Sequence, residues 1–197
     1  MKFRHPILVA LFVPLGCLGC NSGGLSISKA DLHMDTPVQR QELLTVGPSK
    51  LPVTVNQTAS DGTVDIKISA SGESIETERY AITDTELQLK NAGDAVFEPP
   101  VAILRLPGGA GQTWSWTGTM QEGEKIWQTK ATVATSAKSL ELAGVGQPCI
   151  VAVVTLSIDT GSPNPAQRVF TFWFDKAGLV QREFGMGTTR TDVDPGK

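Results

Sequence analysis

The sequence predicts a mainly β protein made of antiparallel strands. From Val53 onward, short runs rich in Val, Ile, Thr and aromatic residues are separated by Gly, Pro, Asn and Asp, which is typical of strands joined by turns. Several of these runs alternate apolar and polar residues with a period of two. The 197-residue sequence contains no internal repeat, no heptad pattern and no long amphipathic helix. Its length indicates one domain.

Four runs have the alternation of half-solvated antiparallel strands. In residues 63–69, Val64, Ile66 and Ile68 share one face while Asp65 and Lys67 share the other. The same alternation predicts strands at residues 86–90, 113–117 and 127–133. Antiparallel sheets with one face packed and one face in water have this pattern.

Two later runs are apolar on both faces and are predicted to be central strands. They are residues 150–158 and residues 169–174, and Phe172 is expected to be fully buried in the second. Residues 174–179 then read as a tight hairpin, in which Asp175 opens the turn and Gly178 supplies positive φ. Residues 179–184 form the predicted return strand, with Gln181 exposed.

The first residues have the layout of a secretory signal peptide. A basic start, Met1-Lys-Phe-Arg-His5, leads into an apolar stretch that ends at small residues. A transmembrane helix is the main alternative, but residues 6–18 are too few to cross the ~30 Å of bilayer hydrocarbon. The predicted organisation is a signal peptide at 1–19, a flexible tether at 20–52 with one short helix at 39–46, a β domain at 53–187 and a loose tail at 188–197.

The cysteine at the expected cleavage site resembles the lipobox of bacterial lipoproteins. In that family the cysteine thiol is acylated and the cysteine becomes the first residue of the mature protein. Cys20 follows Gly19 and precedes the polar run Asn21–Gly24, which favours it as the lipid attachment site, and Cys17 is the alternative. The resemblance implies a membrane anchor of acyl chains in the cell envelope. Asn21 after the cysteine resembles the pattern of proteins sent to the outer membrane, facing the periplasm.

Charge and cysteine content limit the partners. Removal of residues 1–19 takes away Lys2 and Arg4 and no acid, which changes the formal net charge from −3 to −5. Such a chain is not suited to nucleic acid. After cleavage at Cys20, Cys149 is the only thiol that is not acylated, so no internal disulfide can form. Cys149 begins an apolar run and is predicted to be buried and inert.

Motifs that could carry catalysis are weak. Asp159-Thr-Gly-Ser162 resembles the active-site element of aspartic proteases, but it occurs once and such a site needs two carboxylates. The glycine-rich Gly108–Gly111 precedes a strand, whereas a phosphate cradle needs a helix start. The two histidines, His5 and His33, precede the predicted domain, so we expect no catalytic histidine, no metal and no cofactor.

The tryptophans are the remaining candidates for a binding site. Large aromatic residues usually pack in a core, but on a curved sheet they can also line a groove for an acyl chain or a sugar. Core packing is the favoured reading, and a ligand groove is the alternative. The four residues concerned are Trp114, Trp116, Trp127 and Trp173.

Four segments together resemble a group of uncharacterised bacterial lipoproteins. They are the lipobox, residues 104–119 with the element Leu-Pro-Gly-Gly-Ala-Gly-Gln-Thr-Trp, the apolar strand at 150–158, and residues 172–183 with Trp-Phe-Asp-Lys-Ala-Gly-Leu-Val-Gln-Arg-Glu. The group is similar to the curved antiparallel half-barrel of lipoprotein-carrier proteins, whose concave face can hold acyl chains. The resemblance therefore implies one curved antiparallel sheet or half-barrel.

Three functions follow as hypotheses. The first is a non-enzymatic lipoprotein that binds an apolar ligand or another component of the envelope. The second is a structural or interaction lipoprotein with a filled core and no ligand. The third is a hydrolase that uses acidic residues alone. An open apolar groove would separate the first from the second, and two facing carboxylates in a pocket would support the third.

Overall fold

The computed structural model describes residues 24–46, 48–142, 144–184 and 187–190. The predicted signal peptide, Cys17, Cys20 and the last part of the predicted tail, residues 191–197, lie outside the described residues. Within the described residues, no helix combines the length and the apolar character needed to cross a membrane.

The described part of the chain contains twelve strands, preceded by a 3₁₀ helix at Ala30–Leu32. The strands are β1 Val38–Val46, β2 Ser49–Ser60, β3 Thr63–Ala70, β4 Glu73–Ile82, β5 Glu86–Ala92, β6 Ala95–Arg105, β7 Thr113–Glu122, β8 Lys125–Leu142, β9 Val145–Ile158, β10 Ala166–Asp175, β11 Gly178–Phe184 and β12 Gly187–Arg190.

Each strand pairs antiparallel with the next one in the chain, and the ladder continues until it closes. β12 lies between β11 and β1, and its pairing with β1 runs from Leu43↔Arg190 to Thr45↔Thr188. The result is a closed barrel with strand order identical to chain order. The predicted mainly β fold with one curved antiparallel sheet is confirmed.

The period-two pattern places apolar side chains inside the barrel. Val64, Ile66 and Ile68 of β3 are buried in the main core, as predicted. The predicted runs at 86–90, 113–117 and 127–133 are parts of β5, β7 and β8. Because neighbouring strands are in register, inward residues from every side of the ring meet in one apolar cluster.

β9 lies between β8 and β10, and β10 lies between β9 and β11. Because the barrel is closed, every strand has two neighbours, so these two strands are not more central than the others, and Val169 of β10 is exposed. Ile150, Val151 and Ala152 are all fully buried, so β9 is covered on both faces at this point. Phe172 is also fully buried in the main core. On the outer face, a smaller buried cluster consists of Leu140, Cys149, Val151 and Val180, with Val153 and Trp173 packed against it.

The hairpin between β10 and β11 forms as predicted. The carboxylate of Asp175 accepts a hydrogen bond of 2.6 Å from the backbone N–H of Ala177. Gly178 has φ +109°. A Cβ at Gly178 would also lie 2.5 Å from the backbone oxygen of Leu32. Glycine is therefore required here both by backbone conformation and by the close approach of the N-terminal segment.

Three expectations are corrected by the structure. The predicted helix at 39–46 is strand β1, in which Glu42 and Leu44 alternate inward with a period of two. The 3₁₀ helix, β1 and the start of β2 lie in the range 20–52 that was predicted as a tether, and residues 188–190 of the predicted tail are in β12. Polar segments can complete a sheet when a paired neighbour satisfies their backbone groups.

Gln181, predicted to be exposed, is buried. It lies directly opposite Trp173 of β10, whose side chain packs against the outer cluster. This part of the outer face is therefore covered by side chains rather than open to water. The Gln181 side chain instead donates a hydrogen bond of 2.8 Å to Glu183.

The two ends of the barrel differ. The covered end carries the turns at 61–62, 83–85, 106–112 and 176–177, and residues 24–37 lie across it, with Ile27, Leu32 and Met34 buried in the main core. Backbone hydrogen bonds between Ile27 and Gly108 fix this segment. The cleft end carries the turns at 71–72, 93–94, 123–124 and 159–165.

Candidate functional site

A group of charged side chains crosses the barrel interior between β1, β4 and β11. The Arg182 guanidinium, on β11, donates a hydrogen bond of 2.6 Å from Nε to Glu78 Oε1 on β4. Its Nη2 lies 3.8 Å from Glu42 Oε2 on β1. Tyr80 donates a hydrogen bond of 2.7 Å to the second oxygen of Glu78. These four residues are almost fully buried, so the network links three strands inside an otherwise apolar barrel.

Arg40 adds a second positive charge to this network. Its Nε donates a hydrogen bond to Glu42, at the side of the network that faces the covered end. Burial disfavours the charged form of Arg182, but Glu78 and Glu42 outweigh it, and the net shift of the Arg182 pKa is upward. Burial, and next the charge of Glu78, raises the pKa of Tyr80 well above its usual range. The two arginines and two glutamates therefore form a compensated set.

A cleft with a volume of about 740 Å³ opens at the cleft end. Val46, Ile75 and Val169 are on its wall with nearly half of each side chain exposed. Phe170 and Phe184 are the aromatic part of the wall, and their rings stack edge to face at 5.1 Å. The cleft is therefore apolar where it meets the core and falls in the size range of small-molecule sites.

Glu76 is the titratable group of this cleft whose charge is not compensated. Its side chain is partly buried and makes no hydrogen bond or ion pair with any residue that the structure describes. Burial, followed by the charge of Glu78, raises the pKa of Glu76 to about 7, while Arg182 opposes the shift. The other charged residue of the wall, Arg168, is bound through both terminal nitrogens to Glu122.

Two further clefts, of about 320 and 550 Å³, lie at the covered end. Both form where residues 29–38 meet the barrel. The segment itself is held by polar contacts: Lys176 Nζ lies 2.8 Å from Asp31 and 2.6 Å from the backbone oxygen of Ser26, and Lys29 lies 2.7 Å from Asp84. These clefts therefore lie between the N-terminal segment and the barrel.

Trp114 and Trp116 are buried core residues. Their indole N–H groups donate hydrogen bonds to the backbone oxygens of Ala102, at 2.9 Å, and Pro99, at 3.1 Å. Arg105 lies over the Trp114 ring. Both indole N–H groups thus have a hydrogen-bond acceptor within the barrel, as expected for tryptophans that pack in the core.

The other two tryptophans lie on opposite faces of the sheet. Trp127 packs against the main core, whereas Trp173 packs against the outer cluster, with Lys138 Nζ 5.6 Å from its ring centroid. The structure therefore does not bring the four tryptophans together, and none of them lines the 740 Å³ cleft. The alternation of side chains along strands separates Trp173 from the others.

Asp159 occupies an exposed turn, where its carboxylate accepts a hydrogen bond of 2.9 Å from the N–H of Gly161. No other acid lines the cleft beside it. Gly108–Gly111 lies in the turn between β6 and β7, and Gly108 pairs with Ile27. His33 is exposed, and its Nε2 lies 3.2 Å from the backbone oxygen of Lys176. Among the described residues, no group of three His, Cys, Asp or Glu side chains could hold a metal ion.

Cys149 is buried in the outer cluster, as predicted. Burial, and next the charge of Asp175, raises the pKa of its thiol to about 11. The thiolate fraction at neutral pH is therefore very small, which agrees with an inert thiol.

Sequence reasoning missed Glu76 and the interior network. One signal was present in the sequence. Arg182 is two residues from Phe184, and Glu78 and Glu76 are two and four residues from Tyr80, so alternation places these charged side chains on the same face as the aromatic ones. What alternation cannot give is the pairing across the barrel, because Arg182 and Glu78 are 104 residues apart.

No family model and no curated protein matches the sequence. Among solved structures, the hypothetical lipoprotein YmcC from Escherichia coli K12 is similar over 86% of this chain and 91% of its own, with 12% identity and a TM-score of 0.42. At that identity and score, no property of one chain can be transferred to the other.

Proposed function

We propose that this protein is an exported, membrane-anchored lipoprotein that holds an apolar ligand in the cleft at the cleft end, without catalysis. The observation that supports ligand binding is the 740 Å³ cleft, which has exposed Val46, Ile75 and Val169 at its wall and reaches the aromatic core. A side chain of this type contributes ~1.5–3 kcal/mol when it is removed fully from water. A ligand that covers these three would therefore gain a useful part of its binding energy from the wall.

The anchor in this proposal is acylated Cys20, with Cys17 as the alternative. Its support is the signal layout, with the basic start, the apolar stretch and Gly19 before the cysteine. Net charge after cleavage is negative, so attachment depends on the acyl chains, each buried CH₂ contributing ~0.8 kcal/mol. The expected location is the cell envelope, in the outer membrane facing the periplasm where the cell has one.

The proposed anchor also orients the barrel. Cys20 is seven positions before Ile27, which is fixed at the covered end. A chain advances at most ~3.3–3.6 Å per residue, so the anchor lies within about 25 Å of Ile27. Strand β10 alone, with ten residues, runs about 33 Å from the cleft end to the covered end. The covered end therefore faces the membrane and the cleft faces away from it.

Ligand binding is tested with the unacylated mature chain, residues 20–197 carrying Cys20→Ser. The probe is the neutral apolar dye N-phenyl-1-naphthylamine, and lipids that co-purify with the native protein are identified by mass spectrometry. Ile75→Gln should weaken dye binding about fivefold, since about 1 kcal/mol of apolar contact is lost. Ile126→Gln is the matched control, because Ile126 is also exposed but lies outside the cleft. Equal effects of the two changes would rule out this cleft.

Anchoring is tested in cells by comparing Cys20→Ala with Cys17→Ala. Only Cys20→Ala should abolish acylation and release the protein from membranes. The reverse result would assign the lipid to Cys17. For orientation, a fluorophore on Ala110→Cys, at the covered end, should be quenched by spin-labelled lipid more strongly than one on Asp94→Cys, at the cleft end. Stronger quenching at position 94 would contradict the orientation.

A second candidate, a structural lipoprotein without a ligand, is favoured by one observation. The middle of the barrel is filled by the main apolar cluster, which leaves the cleft as a feature of one end. Failure of the dye to bind, together with native protein free of co-purified lipid, would favour this candidate.

A further inference from the structure

We propose that the ligand of the cleft is an amphiphile with a protonated amine head, and that the carboxylate of Glu76 is its counter-ion. This inference rests on the proposed function and specifies the chemistry of the same site. Three features of the cleft support it: its charge balance, its wall and the environment of Glu76.

Glu76 differs from the neighbouring acidic residues because no arginine or lysine of the described chain is paired with it. Glu78 and Glu42 are bound by Arg182 and Arg40, and Glu122 at the rim binds Arg168. Glu76 has no hydrogen bond or ion pair within the described residues. A ligand cation would therefore act as the counter-ion of Glu76, whereas a ligand anion would be repelled by the carboxylates of Glu76 and Glu78.

The groups that face Glu76 come from five strands. On β3 its cross-strand partner is Ile68, and on β1 and β5 the cleft presents Leu44, Val46 and Ala92, all apolar. The charged neighbours are Glu78 on its own strand, Arg182 on β11 and Arg168 on β10. Because both arginines are already paired, neither is free to neutralise Glu76. The apolar wall suits a hydrocarbon chain and the carboxylate suits a cationic head.

The raised pKa of Glu76, about 7, makes the proposed binding depend on pH. An ammonium head needs the ionised carboxylate, so affinity should rise with pH through about 7 and then level off while the amine stays protonated. Bound amine should in turn lower the pKa of Glu76, since an adjacent cation favours the charged carboxylate. Binding near pH 7 should therefore release protons.

The experiment compares three ligands of equal chain length: dodecylamine, dodecanol and dodecanoate, each below its micelle concentration. Displacement of N-phenyl-1-naphthylamine from the unacylated mature chain gives the affinities at pH 6 and pH 8. At pH 8 the amine should bind at least tenfold more tightly than the alcohol, and the carboxylate should bind most weakly. Glu76→Gln should remove the preference for the amine and its pH dependence, while binding of dodecanol is retained.

Glu124→Gln is the matched control, because Glu124 is an exposed acid at the same end of the barrel, outside the cleft. It changes the net charge equally and should leave all three affinities unchanged. The outcomes separate the two proposals. Equal binding of the three ligands, or a preference for the amine that survives Glu76→Gln, would overturn the role of Glu76 and leave an apolar site. Failure of all three to bind would overturn the proposed function itself.

Discussion

The two ends of this barrel differ in how their apolar side chains are covered. At the covered end, residues 24–37 bury Ile27, Leu32 and Met34 and are tied to the turns by Lys176 and Lys29. At the cleft end, Val46, Ile75 and Val169 remain nearly half exposed around Glu76. Apolar side chains at one end of the barrel are therefore covered by the chain itself, whereas at the other end they remain exposed to solvent.

The core between the two ends should be the most sensitive part. Phe172 is fully buried and contacts Phe174 and Phe184. Phe172→Ala should lower the free energy of unfolding by ~3–5 kcal/mol. Gln181→Ala, on the outer face, should cost about 1 kcal/mol because a buried hydrogen bond to Glu183 is lost. Chemical denaturation measures both, and equal losses would contradict the view that the strength of the barrel is in its interior.

The next prediction compares the two ends directly. Leu32→Ala at the covered end should lower the free energy of unfolding by ~2–5 kcal/mol, as expected for a buried leucine. Ile75→Ala at the cleft end should cost less than about 1 kcal/mol, since nearly half of its side chain is already exposed to solvent. Denaturant midpoints at equal slope give the difference. If Ile75→Ala were as costly as Leu32→Ala, the cleft wall would be structural core.

Glu76 should make the cleft end less stable as the pH rises. Its folded pKa, about 7, lies above its value in an unfolded chain, so the folded state binds more protons between about pH 4.5 and pH 7. Stability contributed by this group is present at low pH and is lost as pH rises through 7. Glu76→Gln should therefore stabilise the protein by about 1–2 kcal/mol at pH 8 and have little effect at pH 4. No difference between the two pH values would show that Glu76 is well solvated.

Asp31, at the covered end, should affect the pH dependence of stability in the opposite direction, and its effect should be the smallest of those predicted. Lys176 and Ser28 hold the pKa of Asp31 well below its usual range. Its contribution is present above about pH 4 and fades as pH falls towards the folded pKa. Asp31→Asn should lower the denaturant midpoint slightly at pH 7, and the gap from the natural protein should narrow below pH 4. A gap that widens in acid would mean that Lys176 does not stabilise the carboxylate.

Most strands and their inner faces can be predicted from the sequence, because alternation and turn residues are local signals. Residues 63–69, 150–158 and 169–174 and the turn at Gly178 all lie where local reasoning places them. Residues 39–46 are rich in good helix formers, which favours the helix predicted from the sequence, and only pairing with β2 and β12 makes them strand β1. Gln181 is buried although alternation places it on the outer face, because that face is covered around Trp173, its partner on β10.

The tertiary structure alone decided the site. Closure of the ring by β1 and β12 brings Glu42, Glu78 and Arg182 together from distant parts of the chain, and it leaves Glu76 without a counter-ion among the described residues. The four tryptophans, for which the sequence favoured core packing with a ligand groove as the alternative, are divided between two faces and do not line the cleft. The physical reason is that alternation along a strand is a local property, whereas a cavity and a charge balance arise only where strands from opposite sides of the barrel meet.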